Sequence, residues 1–160
     1  YFKGTLGFLW MGMDSELTIA GQYYYNGEGY ESDARNSLIA DSIDAINLIP
    51  SFPLDTQAIG YLLSGASRHY AGFSISKSQF LVENLTLSLF TMANLADLSG
   101  MVQPSASWEF FDGVSLALSP SFIWATSALW GNGANSEYPL LAGGPAMMIR
   151  VQAKLGGGRF

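Results

Sequence analysis

The 160-residue chain is predicted to be an all-β fold of antiparallel up-and-down strands, on three observations. Residues alternate over long stretches. From Val114 to Trp124, Val114, Leu116, Leu118, Pro120, Phe122 and Trp124 share one parity, against Ser115, Ala117, Ser119, Ser121 and Ile123 on the other, the period of a strand with one apolar face. Charge is sparse: 12% of residues are Asp, Glu, Lys or Arg although 49% are hydrophobic, where a soluble domain carries about 25% charged residues. No apolar run is long enough for a membrane-spanning helix, since the greasiest stretch, Tyr138 to Ile149, is broken by Pro139, Gly143, Gly144 and Pro145, so any membrane crossing would be made by strands.

Seven strands are expected within a single domain. The first runs from about Phe2 to Met13 with Phe2, Leu6, Phe8 and Trp10 on its apolar face, and Asp14 and Ser15 form a tight turn. The second, Glu16 to Asn26, alternates Leu17, Ile19, Gly21, Tyr23 and Tyr25 against Glu16, Thr18, Ala20, Gln22 and Tyr24. A long acidic loop over 27–67 follows, in which Asp33 to Ile49 has helical spacing, with Ile39, Ile43, Ile46 and Ile49 on one stripe and Pro50 after it. A second short helical turn follows, with Asp55 before Ile59, Leu62 and Leu63.

Strand three, Arg68 to Ser76, sets His69, Ala71, Phe73 and Ile75 against Tyr70, Gly72, Ser74 and Ser76. Strand four carries Leu85, Leu87 and Leu89 opposite Thr86, Ser88 and Phe90; a turn at Ser99 and Gly100 leads to strand five, with Val102, Pro104, Ala106, Trp108 and Phe110 on one parity. The Val114 strand is sixth, extended to about Ala128, and Ala146 to Leu155 is seventh. Pairing Phe110 with Val114 sets Trp108 beside Leu116, Ala106 beside Leu118, and Pro104 beside Pro120, two residues without an amide donor at one level.

The parity of charge bears on what the apolar face touches. Lys3, Glu16, Glu109, Arg150 and Lys154 all fall opposite that face, and the rest of the polar face is Ser, Thr, Gly, Ala and Gln, far poorer in charge than a water-facing sheet. Strands of about twelve residues tilted by roughly 45° span about 28 Å. Aromatics gather toward strand ends, Tyr23, Tyr24 and Tyr25 at one level and Trp108, Phe110 and Phe111 at the other, as interfacial girdles do. The connections run short, long, short, short, short and longish, and with the C-terminus placed in the periplasm the two longest fall on the extracellular side. Together these features predict a transmembrane β-barrel with a helical insertion in one long extracellular loop.

The alternating hairpins, tyrosine-rich strand ends and terminal Phe160 resemble the C-terminal portion of a bacterial outer-membrane β-barrel of the porin-like kind. The resemblance implies residence in the outer membrane, contact with its lipid, and reading of Phe160 by the barrel-assembly machinery. Phe160 has the opposite parity to Met147, Ile149, Val151, Ala153 and Leu155, so Gly156 to Gly158 would have to form a bulge. Seven strands are an odd number for a complete single-chain bacterial barrel, so upstream strands or a second chain are expected to complete it.

The candidate sites follow from the faces. Val114, Leu116, Leu118, Phe122, Trp124 and Trp108 are the expected lipid-facing residues, and Lys3, Glu16, Glu109, Arg150 and Lys154 the expected lumen-lining ones, acting on solutes or pairing within a filled barrel, Glu16 with Lys3 and Glu109 with Lys154 or Arg150. His69, the single histidine, reads as a polar strand-end residue rather than a catalytic base, because no nucleophile motif accompanies it. Glu28, Glu31 and Asp33 lack EF-hand spacing, and zero cysteines remove thiolate metal sites. Neither a cofactor nor a metal is expected, and a net charge of −6 argues against nucleic acid. The expected function is passive solute passage or a structural surface barrel without catalysis; the alternative is a soluble antiparallel barrel holding a hydrophobic ligand, which would turn the apolar face inward.

Overall fold

The computed structural model describes residues 1–31, 34, 37, 38, 40, 41, 44, 65–111, 113–125, 136–142 and 146–155. Seven strands follow in sequence: β1 (Lys3–Gly12), β2 (Leu17–Asn26), β3 (His69–Lys77), β4 (Leu85–Asn94), β5 (Ser99–Phe111), β6 (Val114–Ala125) and β7 (Met147–Leu155), with a short helix α1 (Glu137–Ala142) before the last. They form one sheet in chain order, every neighbouring pair antiparallel. The up-and-down order is as expected, but the sheet is open: β1 and β7 are its edges and do not pair. The Ile39, Ile43, Ile46 and Ile49 stripe, the helical turn at Ile59, and Phe160 lie outside the described residues.

Register keeps parity across the whole sheet. One row passes through Trp10, Ile19, Ile75, Leu89, Pro104, Pro120 and Ile149; the row beside it passes through Met11, Thr18, Ser76, Ser88, Ser105, Ser119 and Arg150. Cross-strand partners share a face, so most of the large apolar side chains of the seven strands collect on one side. Five charged residues lie within the strands. Lys3, Glu109, Arg150 and Lys154 are on the polar face, whereas Lys77, at the last position of β3, is on the apolar one and donates to the Ser15 carbonyl at 2.6 Å.

The apolar face has no core beneath it. Among the described residues only Ala125 and Leu140 are buried hydrophobic side chains, while Trp108 and Leu118 are 46% exposed and Phe122 38%. Full burial of such a side chain is worth about 1.5–3 kcal/mol, and side chains left about half exposed on the sheet forgo roughly half of it.

Aromatic rings stand on glycines across this face. A side chain at Gly21 would collide with the Phe8 ring, and one at Gly100 with the Trp124 ring, so each glycine leaves room for an aromatic from the paired strand. At the end where the long connections lie, Tyr23 and Tyr25 flank His69, with Tyr23 Oη hydrogen-bonded to His69 Nδ1 at 2.6 Å. At the opposite end Trp108 packs against Phe110 in a tilted pair with centroids 4.4 Å apart. Tyr24 departs from the expected girdle: its parity puts it on the polar face beside Tyr70, with ring centroids 6.2 Å apart.

Local corrections have local causes. Gly12 pairs with Leu17, so the first turn takes four residues, 13–16, and Glu16 closes it with a positive φ of 49°, outside the strand it was expected to begin. Ser99 and Gly100 belong to β5, and the preceding connection shrinks to 95–98, closed by Leu98 at φ 55°. Val114 pairs with Phe111, since a bulge between Glu109 and Phe111 takes up Phe110.

Pro104 and Pro120 do stand opposite each other. The β5–β6 ladder runs from Ser99↔Ala125 to Val102↔Phe122, stops, and resumes at Ala106↔Leu118 in the same register. Three successive pairings are lost, the number that two missing donors at directly opposed hydrogen-bonding positions remove. The Pro104 and Pro120 carbonyls therefore face each other without an amide between them, while the pairing with β4 and β7 continues unbroken on either side, past Leu89↔Pro104 and Pro120↔Ile149. Pro120→Val supplies one donor to this gap and is expected to raise the stability of the folded chain by about 1 kcal/mol. Urea unfolding in detergent or bilayers measures it, and an unchanged or lowered midpoint contradicts the account.

Candidate functional site

The described interior of this molecule is polar and lies at one end of the polar face. Asn94 and Ser99, paired at the β4–β5 junction, have no exposed surface, and Ser67 is equally enclosed. Helix α1 packs above them on β5 and β6. Its sequence suits a short turn: Ser136 accepts the Leu140 amide at 2.9 Å, Glu137 opens the helix, and Pro139 sits in the first turn, where its missing N–H costs nothing.

Glu137 organises the cluster. Its carboxylate, in a residue only 4% exposed, accepts the Gly65 amide on Oε1 at 2.8 Å, and on Oε2 the Asn94 side-chain amide at 2.7 Å and the Tyr70 hydroxyl at 2.8 Å. The Tyr70 oxygen in turn accepts the Ser67 amide at 2.9 Å, and Asn94 donates to Ser67 Oγ at 2.7 Å. Asp97 holds the other side: Oδ2 accepts the Glu137 amide at 2.7 Å, and Oδ1 accepts the Ser99 amide and hydroxyl at 2.9 and 2.6 Å. Three donors on one buried carboxylate replace the water it loses. The network thereby ties the start of β3, the β4–β5 connection and α1 into one lid over the polar face.

Below the lid the polar face changes character by level. Directly under α1 come Met92, Met101 and Ile123; one row farther along the strands come Leu9, Phe90 and Met148; the next is the hydroxyl row, in which Ser88 and Ser105 bond at 2.6 Å. Arg150 ends that hydroxyl row, and Glu109, Ser115 and Lys154 share a row at the short-turn end.

Four of the five expected lumen-lining residues thus lie on the polar face, and Glu16 lies in a turn. The expected pairs do not form. Lys3 is at the far end of β1 from Glu16 and forms an ion pair with Glu28; Glu109 and Lys154 are two strands apart, with Ser115 between. Trp108, Val114, Leu116, Leu118, Phe122 and Trp124 share the apolar face. Glu31 binds Arg68 at 2.5 Å, and Asp33 is outside the described residues. Sequence reading missed Asn94, Asp97 and Glu137, whose partners lie up to 72 positions away in the chain; the one local sign was an acid beside the Tyr-Pro of a connection. Comparison with family models, curated proteins and solved structures finds no match.

Removing the central carboxylate leaves three enclosed donors unsatisfied. Glu137→Ala is expected to loosen the lid by about 3 kcal/mol or more and to speed exchange of the Gly65 amide at least tenfold, with Glu137→Gln intermediate; unchanged exchange would show that the network does not hold the lid. Burial, and after it the charges of Glu137 and Asp97, push the Tyr138 phenol up to about 12 from an ordinary 10.0. The folded state binds this proton more tightly than the unfolded one, so its contribution is full below pH 10 and is lost as pH rises from 10 to 12. Tyr138→Phe should lessen the loss of stability measured across that window.

Proposed function

We propose that this sheet is part of an integral outer-membrane β-barrel, apolar face toward lipid and polar face toward the interior, serving passive solute passage or a structural surface role without chemistry of its own. One observation carries the reading: among the described residues, the chain covers its polar face with α1 and the Glu137 network and leaves the apolar face bare. In water that arrangement is inverted; in lipid it is the expected one. Strands of 9 to 13 residues fit an apolar band of about 25 Å when tilted. The connections over 27–68 and 126–146 fall outside the cell, and the turns at 13–16, 78–84 and 112–113 fall in the periplasm.

The open edges bear on how such a barrel closes. β1 and β7 point the same way, because six antiparallel steps separate them. All-antiparallel closure then needs an odd number of further strands. A second copy related by rotation about the barrel axis would meet this sheet parallel, β7 against β1, so the completing strands belong to a different sequence.

The soluble ligand-binding reading requires the apolar face to line an enclosed cavity, whereas the segment that folds back covers the other face. Variants retaining Trp108 or Trp124 alone, in bilayers of brominated lipid, test the choice. Strong quenching at both positions is expected; absence of quenching, in protein that stays soluble without detergent, would overturn the membrane reading in favour of a soluble barrel.

A further inference from the structure

Between α1 and strands β2–β4 lies a cleft of about 420 Å³, within the size range of small-molecule sites. Tyr24, Tyr70, Phe90, Met92 and Tyr138 wall it, and the bare backbone of Gly72 forms part of its floor. Aromatic faces and a methionine sulfur are suited to a flat ring. Polarity narrows the class further. The one carboxylate in the wall, Glu137, already accepts three hydrogen bonds from Gly65, Asn94 and Tyr70, so it is not open to a cation. No lysine, arginine or histidine lines the cleft to receive an anion. The Tyr138 phenol is neutral at pH 7, and burial pushes it further from ionisation. The polar groups left over are neutral: the Gln22 amide and the Tyr24 and Tyr138 hydroxyls make no side-chain hydrogen bonds among the described residues, and Gln22 stands at the open side.

We propose that this cleft binds a small uncharged ring compound carrying one or two hydrogen-bonding groups, the ring between the aromatic walls and the polar groups on Gln22 or the free tyrosine hydroxyls. A charged ligand of the same size would lose its hydration without gaining a partner. A second recess, lined by Leu9, Ala20, Ser74 and Phe90 and sharing Gln22 and Gly72, continues the neutral surface toward the hydroxyl row. The site rests on the contact of α1 with the sheet and is independent of what covers the apolar face.

The test uses the full chain with ¹³C-methyl methionine, folded in bilayers and titrated with p-cresol, with benzoate and benzyltrimethylammonium as charged compounds of similar size. Saturable movement of the Met92 signal by p-cresol is expected, with at least tenfold weaker response to either ion. Met147, on the apolar face, should show only the unsaturable drift of partitioning into lipid. Gly72→Leu should abolish saturation: a Cβ there meets nothing closer than the Thr91 carbonyl at 3.9 Å, so the strand accepts the side chain while the cleft is filled. Phe90→Ala, at a partly exposed position, should weaken binding about tenfold without altering the floor. Met92 movement that never saturates, equal response to the ions, or saturation unchanged in both variants would overturn the proposal; the Trp quenching result would stand either way.

Discussion

Constant parity is the constraint on which everything else in this molecule depends. Each hairpin hands the next strand the same face, so apolar residues of seven strands accumulate on one side with no charge between the ends. In a soluble sandwich a second layer would cover that side. Here helix α1 lies on the opposite one. Backbone bonding supplies cohesion within the sheet, while the apolar side chains supply it only against an apolar medium.

The polar face obeys a different economy. Its residues are small and hydroxylated along the middle rows, aromatic and sulfur-bearing beneath α1, and charged only toward the periphery and the short-turn end. A carboxylate is enclosed in the lid without a cation because amide and phenol donors do the work of water. The same saturation that makes Glu137 a structural group removes it as a binding charge, so the lid shapes the space beneath it without charging it.

Much of the architecture was legible from period alone, because strand alternation survives small errors of register. Seven strands, their faces and the opposed prolines were readable from Val114 to Trp124 and its counterparts. Turn geometry was not, since Glu16 continues the alternation of β2 while its backbone has left the strand, and nothing in one residue's parity distinguishes the two. The Glu137 cluster was hidden for another reason. Its members are scattered over 65–137, and only the fold brings Gly65, Asn94 and α1 together; a sequence scan sees three unremarkable polar residues, Asn94 at a strand end and Asp97 and Glu137 in two connections.

The interrupted β5–β6 ladder has a consequence for how the sheet is assembled in time. A hairpin closes outward from its turn, each new pair resting on the last. From the turn at 112–113 that advance passes Trp108 and Ala106 and then meets two carbonyls with nothing to join them. The remainder, Val102 to Ser99, must be brought to register by the strands on either side, Leu89 holding Pro104 and Ile149 holding Pro120. The hairpin thus cannot complete itself: its upper half waits for β4 and β7, which makes the order of strand arrival part of the fold's specification.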